Sequence, residues 1–276
     1  MVPRMLELEH RFRVVDVHAR LDPPEVDPEW GRAVGAEQLE REMRQAGIVR
    51  SVVFPGPRPG GYVAANNAVA RLSVERPFVA FARISGAREP GDSTTARLRN
   101  LAAKREDHHA SPEEIEQYAY DDRFHGFKLD PTVDGLPDRE VLDRLESVNR
   151  PLVVRGGRGF PPEAVEEVLL DRSLTVILAH FGGHPLNREL MDRTIDLLEE
   201  YDDLYLDTSL VRYRDPLERA LREHPDRVLF GSGAPSSHPN VAVMEVLTLD
   251  VPEDTMRRAF SKNPSRVVDA LAPAGE

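Results

Sequence analysis

Several short stretches of this chain carry side chains able to do chemistry. In VVDVHAR, residues 14–20, two valines are followed by Asp16, His18 and Arg20 at alternate positions. Alternate residues of a strand share one face. A histidine at position 20 would make this a metal-binding pattern, but an arginine offers no lone pair to a cation. Downstream, GFKLDP supplies Lys128 and Asp130, and PLVVRGG supplies Arg155 ahead of two glycines. VILAHFGG supplies His180, with His184 four residues on; LYLDTS supplies Asp207; RVLFGSG ends in Gly231-Ser232-Gly233, with His238 beyond. The loop PGPRPGG carries Arg58, and FVAFARI carries Arg83 near its end.

These stretches sit where short apolar, β-branched runs give way to loops. Strands are expected over about 12–18, 51–54 and 78–84, and then at HGFKLDP, PLVVRGG, LTVILAHFGG, LYLDTS and RVLFGSG. Helical patterns separate them, near 36–46, 62–75, 138–149, 188–201, 216–224 and 241–247, with one opening at Pro161-Pro162. The segment KREDHHASPEEIE reads as a charged loop plus a short helix, and helical segments near 253–260 and 264–271 close the chain. Continuous apolar strands alternating with helices are the mark of a parallel sheet covered on both faces. Eight such units in this length predict an α/β fold, a (β/α)8 TIM barrel. An open doubly wound sheet is the alternative, weakened by the lack of a Gly-x-Gly-x-x-Gly turn after the first strand. No linker divides the chain, so one domain is expected over 1–276, with its core at about 12–271 and extra C-terminal helices. In a barrel the strands deliver their functional side chains at the C-terminal mouth.

Composition narrows the classes. There is no cysteine, which excludes disulfides, thiolate metal sites and a cysteine nucleophile. The formal net charge of -12 argues against a nucleic-acid partner. No apolar run is long enough to cross a bilayer, so no membrane partner is expected. The start MVPRMLELEHRFR lacks the apolar core of a signal peptide, so a cytoplasmic location is expected. Lysine occurs only at 104, 128 and 262; every other basic side chain is arginine.

Taken in order, VVDVHAR, GFKLDP, PLVVRGG, VILAHFGG, LYLDTS, RVLFGSG and the closing NPSRVVDAL resemble the amidohydrolase superfamily, in its amidohydrolase-related branch of metal-dependent TIM-barrel hydrolases and decarboxylases. The resemblance covers about residues 12–271. It implies a His-x-His pair of metal ligands on the first strand, where this chain has His18 and Arg20. It implies a ligand histidine on the fifth strand, where Arg155 stands, and a metal-binding or catalytic histidine on the sixth, which His180 matches. It implies an aspartate after Gly-Ser on the last strand, where Gly233 stands. Lys128 matches the fourth-strand lysine that some branches carboxylate to bridge two metals. Relatives commonly form dimers, so the resemblance also implies a homodimer.

Three ligand positions are therefore replaced, and catalytic zinc needs about three protein ligands. The family metal site is expected to be absent, with no other cofactor. Two of the replacements bring guanidinium groups whose planar forks suit a carboxylate or phosphate. The leading expectation is a pocket for a small anionic molecule, bound by Arg20, Arg155, Lys128 and Arg58, with His180 and His18 as the catalytic candidates of a chain impaired or inactive as a metal hydrolase. A metal-independent lactonase- or esterase-like hydrolase, or a decarboxylase, with His180 as base, is the alternative; a metal-dependent enzyme drawing in His184 or His238 is a lesser one. Blander readings stay open. Arg20 could pair with Asp22 or Glu25, Lys128 could form an ion pair with Asp16 or Asp207, and both aspartates could be structural.

Overall fold

The computed structural model describes residues 10–22, 34–58, 60–91 and 94–273. Eight parallel strands follow one another in sequence order around one sheet: β1 (Val14–Arg20), β2 (Ile48–Phe54), β3 (Phe78–Ile84), β4 (Phe124–Leu129), β5 (Leu152–Gly157), β6 (Val176–His184), β7 (Leu204–Asp207) and β8 (Val228–Leu229). β8 ends early as regular strand, yet its extension closes the barrel onto β1. Val17 N donates to Phe230 O at 2.9 Å, Gly233 N to His18 O at 2.9 Å, and Arg20 N to Ala234 O at 2.8 Å. The expected (β/α)8 barrel is thus the observed architecture.

Two layers of apolar side chains follow from the twofold alternation of the strands. Val52 and Phe54, Val79 and Phe81, and Ile177 and Ala179 pack into the interior cluster, together with Val268 and Leu271 from the C-terminal segment. The intervening residues, such as Val53, Ala80, Val154 and Leu178, meet the surrounding helices in the larger outer core. The helices start where capping residues satisfy free backbone N–H groups. Asp138 accepts from Val141 N at the head of Arg139–Val148, and Ser111 and Glu114 form a reciprocal capping box at the head of Pro112–Tyr120.

Three expectations change in detail. The ragged region after β3 contains two helices, Thr94–Ala102 and Pro112–Tyr120, rather than one. The helix that opens at Pro162 widens after one turn into a π-helical turn over Glu166–Leu170. β1 runs two residues further than expected, to Arg20, and its register against β2 shifts between Asp16 and Ala19. That irregularity breaks the simple alternation read from VVDVHAR. His18 and Arg20 line the mouth, whereas Asp16 does not.

A candidate active site at the barrel mouth

Asp16 is buried where β1, β2 and β8 converge. It accepts from His18 N at 2.9 Å, Ser232 N at 2.8 Å, Ser232 Oγ at 2.6 Å and Ser51 Oγ at 3.1 Å. Burial pushes its carboxyl up, against the pull of the Ser232 and backbone hydrogen bonds. Its work is to clamp three strand ends, the structural reading weighed for it from sequence.

Asp207, at the end of β7, has a different task. His18 Nδ1 lies 2.8 Å from Asp207 Oδ2. The carboxylate also accepts from Ser209 N at 2.9 Å, from His180 N at 3.3 Å and from Ser209 Oγ. Burial alone would raise this carboxyl, but the charge and hydrogen bond of His18, with help from His180 and Ser209, hold it below the usual carboxylate range. A carboxylate can only accept, so it fixes the proton of His18 on Nδ1 and leaves Nε2 as the acceptor. His180 Nδ1 sits 2.8 Å from the carbonyl oxygen of Ser209, which fixes the same tautomer there. Burial, reinforced by His18, holds His180 well below the ordinary histidine value, so it stays neutral. The two rings lie 5.0 Å apart, and His184 lies 5.1 Å beyond His180.

His180 reaches the mouth through unusual backbone. It and Phe181 adopt φ of 59° and 51°, left-handed values that non-glycine residues rarely hold. Such strain costs on the order of 1–3 kcal/mol per residue and persists where the surroundings impose it. Gly233 also has a positive φ, 68°, and a side chain there would bring its Cβ within 3.0 Å of Leu210. Position 233 is thus shaped for glycine.

The other side of the mouth is cationic. The cavity holds about 170 Å³ and is lined by Arg20, Arg83, Lys128 and Arg155, by the three imidazoles, and by one carboxylate, Asp130. The arginines are not bare. Arg20 Nε donates to Asp22 at 3.1 Å. Arg155 donates to Asp130 at 2.8 Å and through its other terminal nitrogen to the His184 ring. Arg83 forks onto Asp134 at 2.8 and 3.1 Å, with Tyr62 donating to the same carboxylate. The pairing of Arg20 with Asp22 and its place in the lining hold together; Glu25 lies outside the described residues. Burial, then Arg155, pushes His184 down to about 4, so its ring accepts from the guanidinium as a neutral base.

Lys128 differs from the arginines. It is 3% exposed, and its Nζ lies 5.3 Å from the centre of the Phe54 ring. Among the described residues that Nζ has no hydrogen-bond partner. The ion pair with Asp16 or Asp207 considered from sequence is not formed; those carboxylates are engaged by serines, backbone N–H groups and histidines. Burial pushes the ammonium down to about 8, aided by Arg83 and opposed by Asp130.

One expected site residue, Arg58, and one residue of the lesser alternative, His238, are not in this lining. Arg58 follows Pro57, which lines the cavity, but is not itself part of the lining. His238 caps the helix Pro239–Leu247, its side chain accepting from Asn240 N. Arg83 takes the place expected of Arg58; its position near the end of β3 was the signal available. His184 joins the site, and Asp207 enters it as the partner of His18.

A second cavity of about 240 Å³ shares His180, His184, Leu210 and Ser236 with the first and is lined otherwise largely by Pro185, Leu186, Met191 and Arg212. Among the described residues, no group of three or more His, Cys, Asp or Glu side chains is placed to hold a metal ion.

An eight-stranded parallel barrel with its ionisable groups gathered at the C-terminal strand ends is the TIM-barrel architecture. Residues 15–270 match a family model described as Amidohydrolase, and the chain belongs to that family. No curated protein matches it in sequence. Solved structures of the same fold include an uncharacterised TIM-barrel protein from Bordetella bronchiseptica (21% identity, TM-score 0.67, covering 94% of this chain and 99% of that one). They include 2,6-dihydroxybenzoate decarboxylase from Rhizobium (16%, 0.63, 93% and 98%). A third is a dihydroxybenzoic acid decarboxylase from Polaromonas, with bound manganese and the inhibitor 2-nitroresorcinol (13%, 0.62, 95% and 98%).

Proposed function

We propose that this barrel mouth binds a small carboxylic acid without a metal ion and performs proton transfer on it. The observation that carries the reading is the lining itself, where four cations and a single carboxylate surround three imidazoles. Counting Asp22, Asp130 and Asp134 against Arg20, Arg83, Arg155 and Lys128 leaves one positive charge, which a carboxylate would balance. The cavity is smaller than the roughly 300–1,000 Å³ of drug-sized sites, so the ligand is small. The adjoining apolar cavity gives room for a short hydrocarbon or ring portion.

The donor set does not fit the family's divalent metal. Only His18 and His180 offer nitrogen lone pairs from the expected ligand positions, where about three ligands are needed. Arg20 and Arg155 occupy two others and repel a cation. As a metal hydrolase the chain is therefore impaired or inactive. His18, with Asp207 holding its tautomer, is the base; a carboxylate behind an imidazole stabilises the imidazolium that forms. His180, neutral, accepts or relays a proton beside it. The cations stabilise an oxyanion developing on the substrate. The decarboxylase names of two structural neighbours are consistent with a carboxylate-bearing substrate. Hydrolysis of a lactone or ester, with His180 as base, is a second reading, favoured by the strained backbone that brings its ring into the mouth.

Thermal shift with mono- and dicarboxylates and with phosphate tests binding. A ligand at 100 times its Kd adds about 2.7 kcal/mol, or several degrees in Tm. The wild type is expected to respond and Arg155→Ala to lose most of the response; equal responses would sink the pocket. Elemental analysis of protein purified without chelator is expected to show far less than one zinc or manganese per chain, and a stoichiometric metal would overturn the metal-free reading.

A further inference from the structure

Three of the four cations around the mouth are matched by a carboxylate: Arg20 by Asp22, Arg83 by Asp134 and Arg155 by Asp130. Lys128 is not; its Nζ is buried, lies against the Phe54 ring and has no hydrogen-bond partner among the described residues. Phe54 in turn meets the His18 ring edge-on at 5.1 Å, and Lys128 and His18 line the same cavity. If the role were charge alone, arginine would serve, and this chain uses arginine for almost every other cation. What lysine offers and arginine cannot is a neutral amine with a nucleophilic lone pair.

We propose that Lys128 is a covalent nucleophile whose Nζ condenses with the ketone of a small oxo acid, the carboxylate of that acid being held by Arg20 and Arg155. The inference rests on the carboxylate-pocket reading above. The ammonium first gives one proton to the His18 imidazole. The amine lone pair then forms the C–N bond while the carbonyl π pair moves onto oxygen. One proton passes from nitrogen to that oxygen, and a second arrives from the imidazolium. The nitrogen lone pair expels water, leaving an iminium that carries the positive charge of the original ammonium. For a 3-oxo acid, the bond to the carboxylate then breaks, its electrons flow through the iminium to give an enamine, and carbon dioxide leaves. A proton drawn from solvent adds to the enamine carbon, and hydrolysis of the new iminium by water releases the ketone and returns the lysine. Burial supports the first step, because it brings the ammonium down to about 8 and so supplies neutral amine near neutral pH.

The test is reductive trapping on the full chain, with pyruvate and acetoacetate as probes, sodium cyanoborohydride as reductant, and peptide mapping as readout. Lys104 and Lys262 serve as internal controls. The expected result is a reduced adduct on Lys128 at least tenfold above either control lysine, formed faster as pH rises through about 8. Lys128→Arg should lose that adduct. An adduct spread evenly over the lysines, or undiminished in Lys128→Arg, overturns the proposal. Acids that stabilise the wild type without forming an adduct overturn the nucleophile and leave the carboxylate pocket standing. Acids that neither stabilise nor react overturn both. Mapping on the wild type decides the matter even if Lys128→Arg fails to fold.

Discussion

The two sides of the barrel mouth solve the problem of buried polar groups differently. On the side of β1, β6, β7 and β8, two histidines are held by acceptors that leave nothing to chance. Asp207 and the Ser209 carbonyl fix both tautomers, and Asp16 ties the strand ends together. On the side of β3, β4 and β5, the arginines are locked in carboxylate pairs, but Lys128 stands outside them. A fully satisfied network gives fixed geometry; an uncompensated group in low dielectric gives reactivity. In the proposed function the first side is the proton-transfer machinery and the second the place where substrate completes the charge balance.

The largest expected effect comes from breaking the satisfied side. Asp207→Asn removes a buried charge on which one imidazole and two backbone N–H groups depend. Breaking a buried charged pair costs about 3–5 kcal/mol, measurable by urea unfolding. A loss under about 1 kcal/mol would mean that the carboxylate does not organise this side. Lys128→Met should act in the opposite direction. Its ammonium is at about 8 in the fold against about 10.4 in an unfolded chain. Below about 8 both states are charged and the native state carries the whole burial penalty. Between the two values the native state sheds its proton first, so wild-type stability rises with pH; above about 10.4 the penalty is gone. Lys128→Met should therefore be more stable than wild type at pH 7, by on the order of 3 kcal/mol, and the gap should close with rising pH. A gap independent of pH would place Lys128 with the compensated arginines. The smallest effect is at His184. Its folded value, about 4, lies below its unfolded one, so the native state loses stability as pH falls from about 6.5 to about 4. His184→Gln should flatten that limb slightly in a pH series of urea midpoints, the ring being half-exposed, and an unchanged limb would mean that burial and Arg155 do not depress this imidazole.

Much of the fold was legible in the chain. β3 is where its apolar run placed it, and the order of strands follows from the alternation of buried runs with amphipathic ones. Boundaries slipped where backbone departs from regular geometry, as at the β1 register shift and the irregular closure through Gly231-Ser232-Gly233. Of the candidate site, His18, Arg20, Lys128, Arg155 and His180 do share one cavity, because all sit near strand ends of a barrel. Arg58 fell outside it, Arg83 and His184 entered it, and Asp207 stands behind it as the partner of His18, because loop direction and pairing are not local properties.

Residue type and order pointed to an eightfold βα barrel and to histidine, lysine and arginine at its mouth. Those readings need only periodicity and chemistry, which the chain carries locally; that Arg20, Arg155 and Gly233 stand where metal ligands would be is what the resemblance to the family implies. Which cation meets which carboxylate was decided by the tertiary structure. Arg155 found Asp130 across 25 positions, His18 found Asp207 across 189, and Lys128 found no partner among the described residues. Pairing depends on distances of a few ångströms in a low-dielectric interior, and only the closed barrel sets those distances.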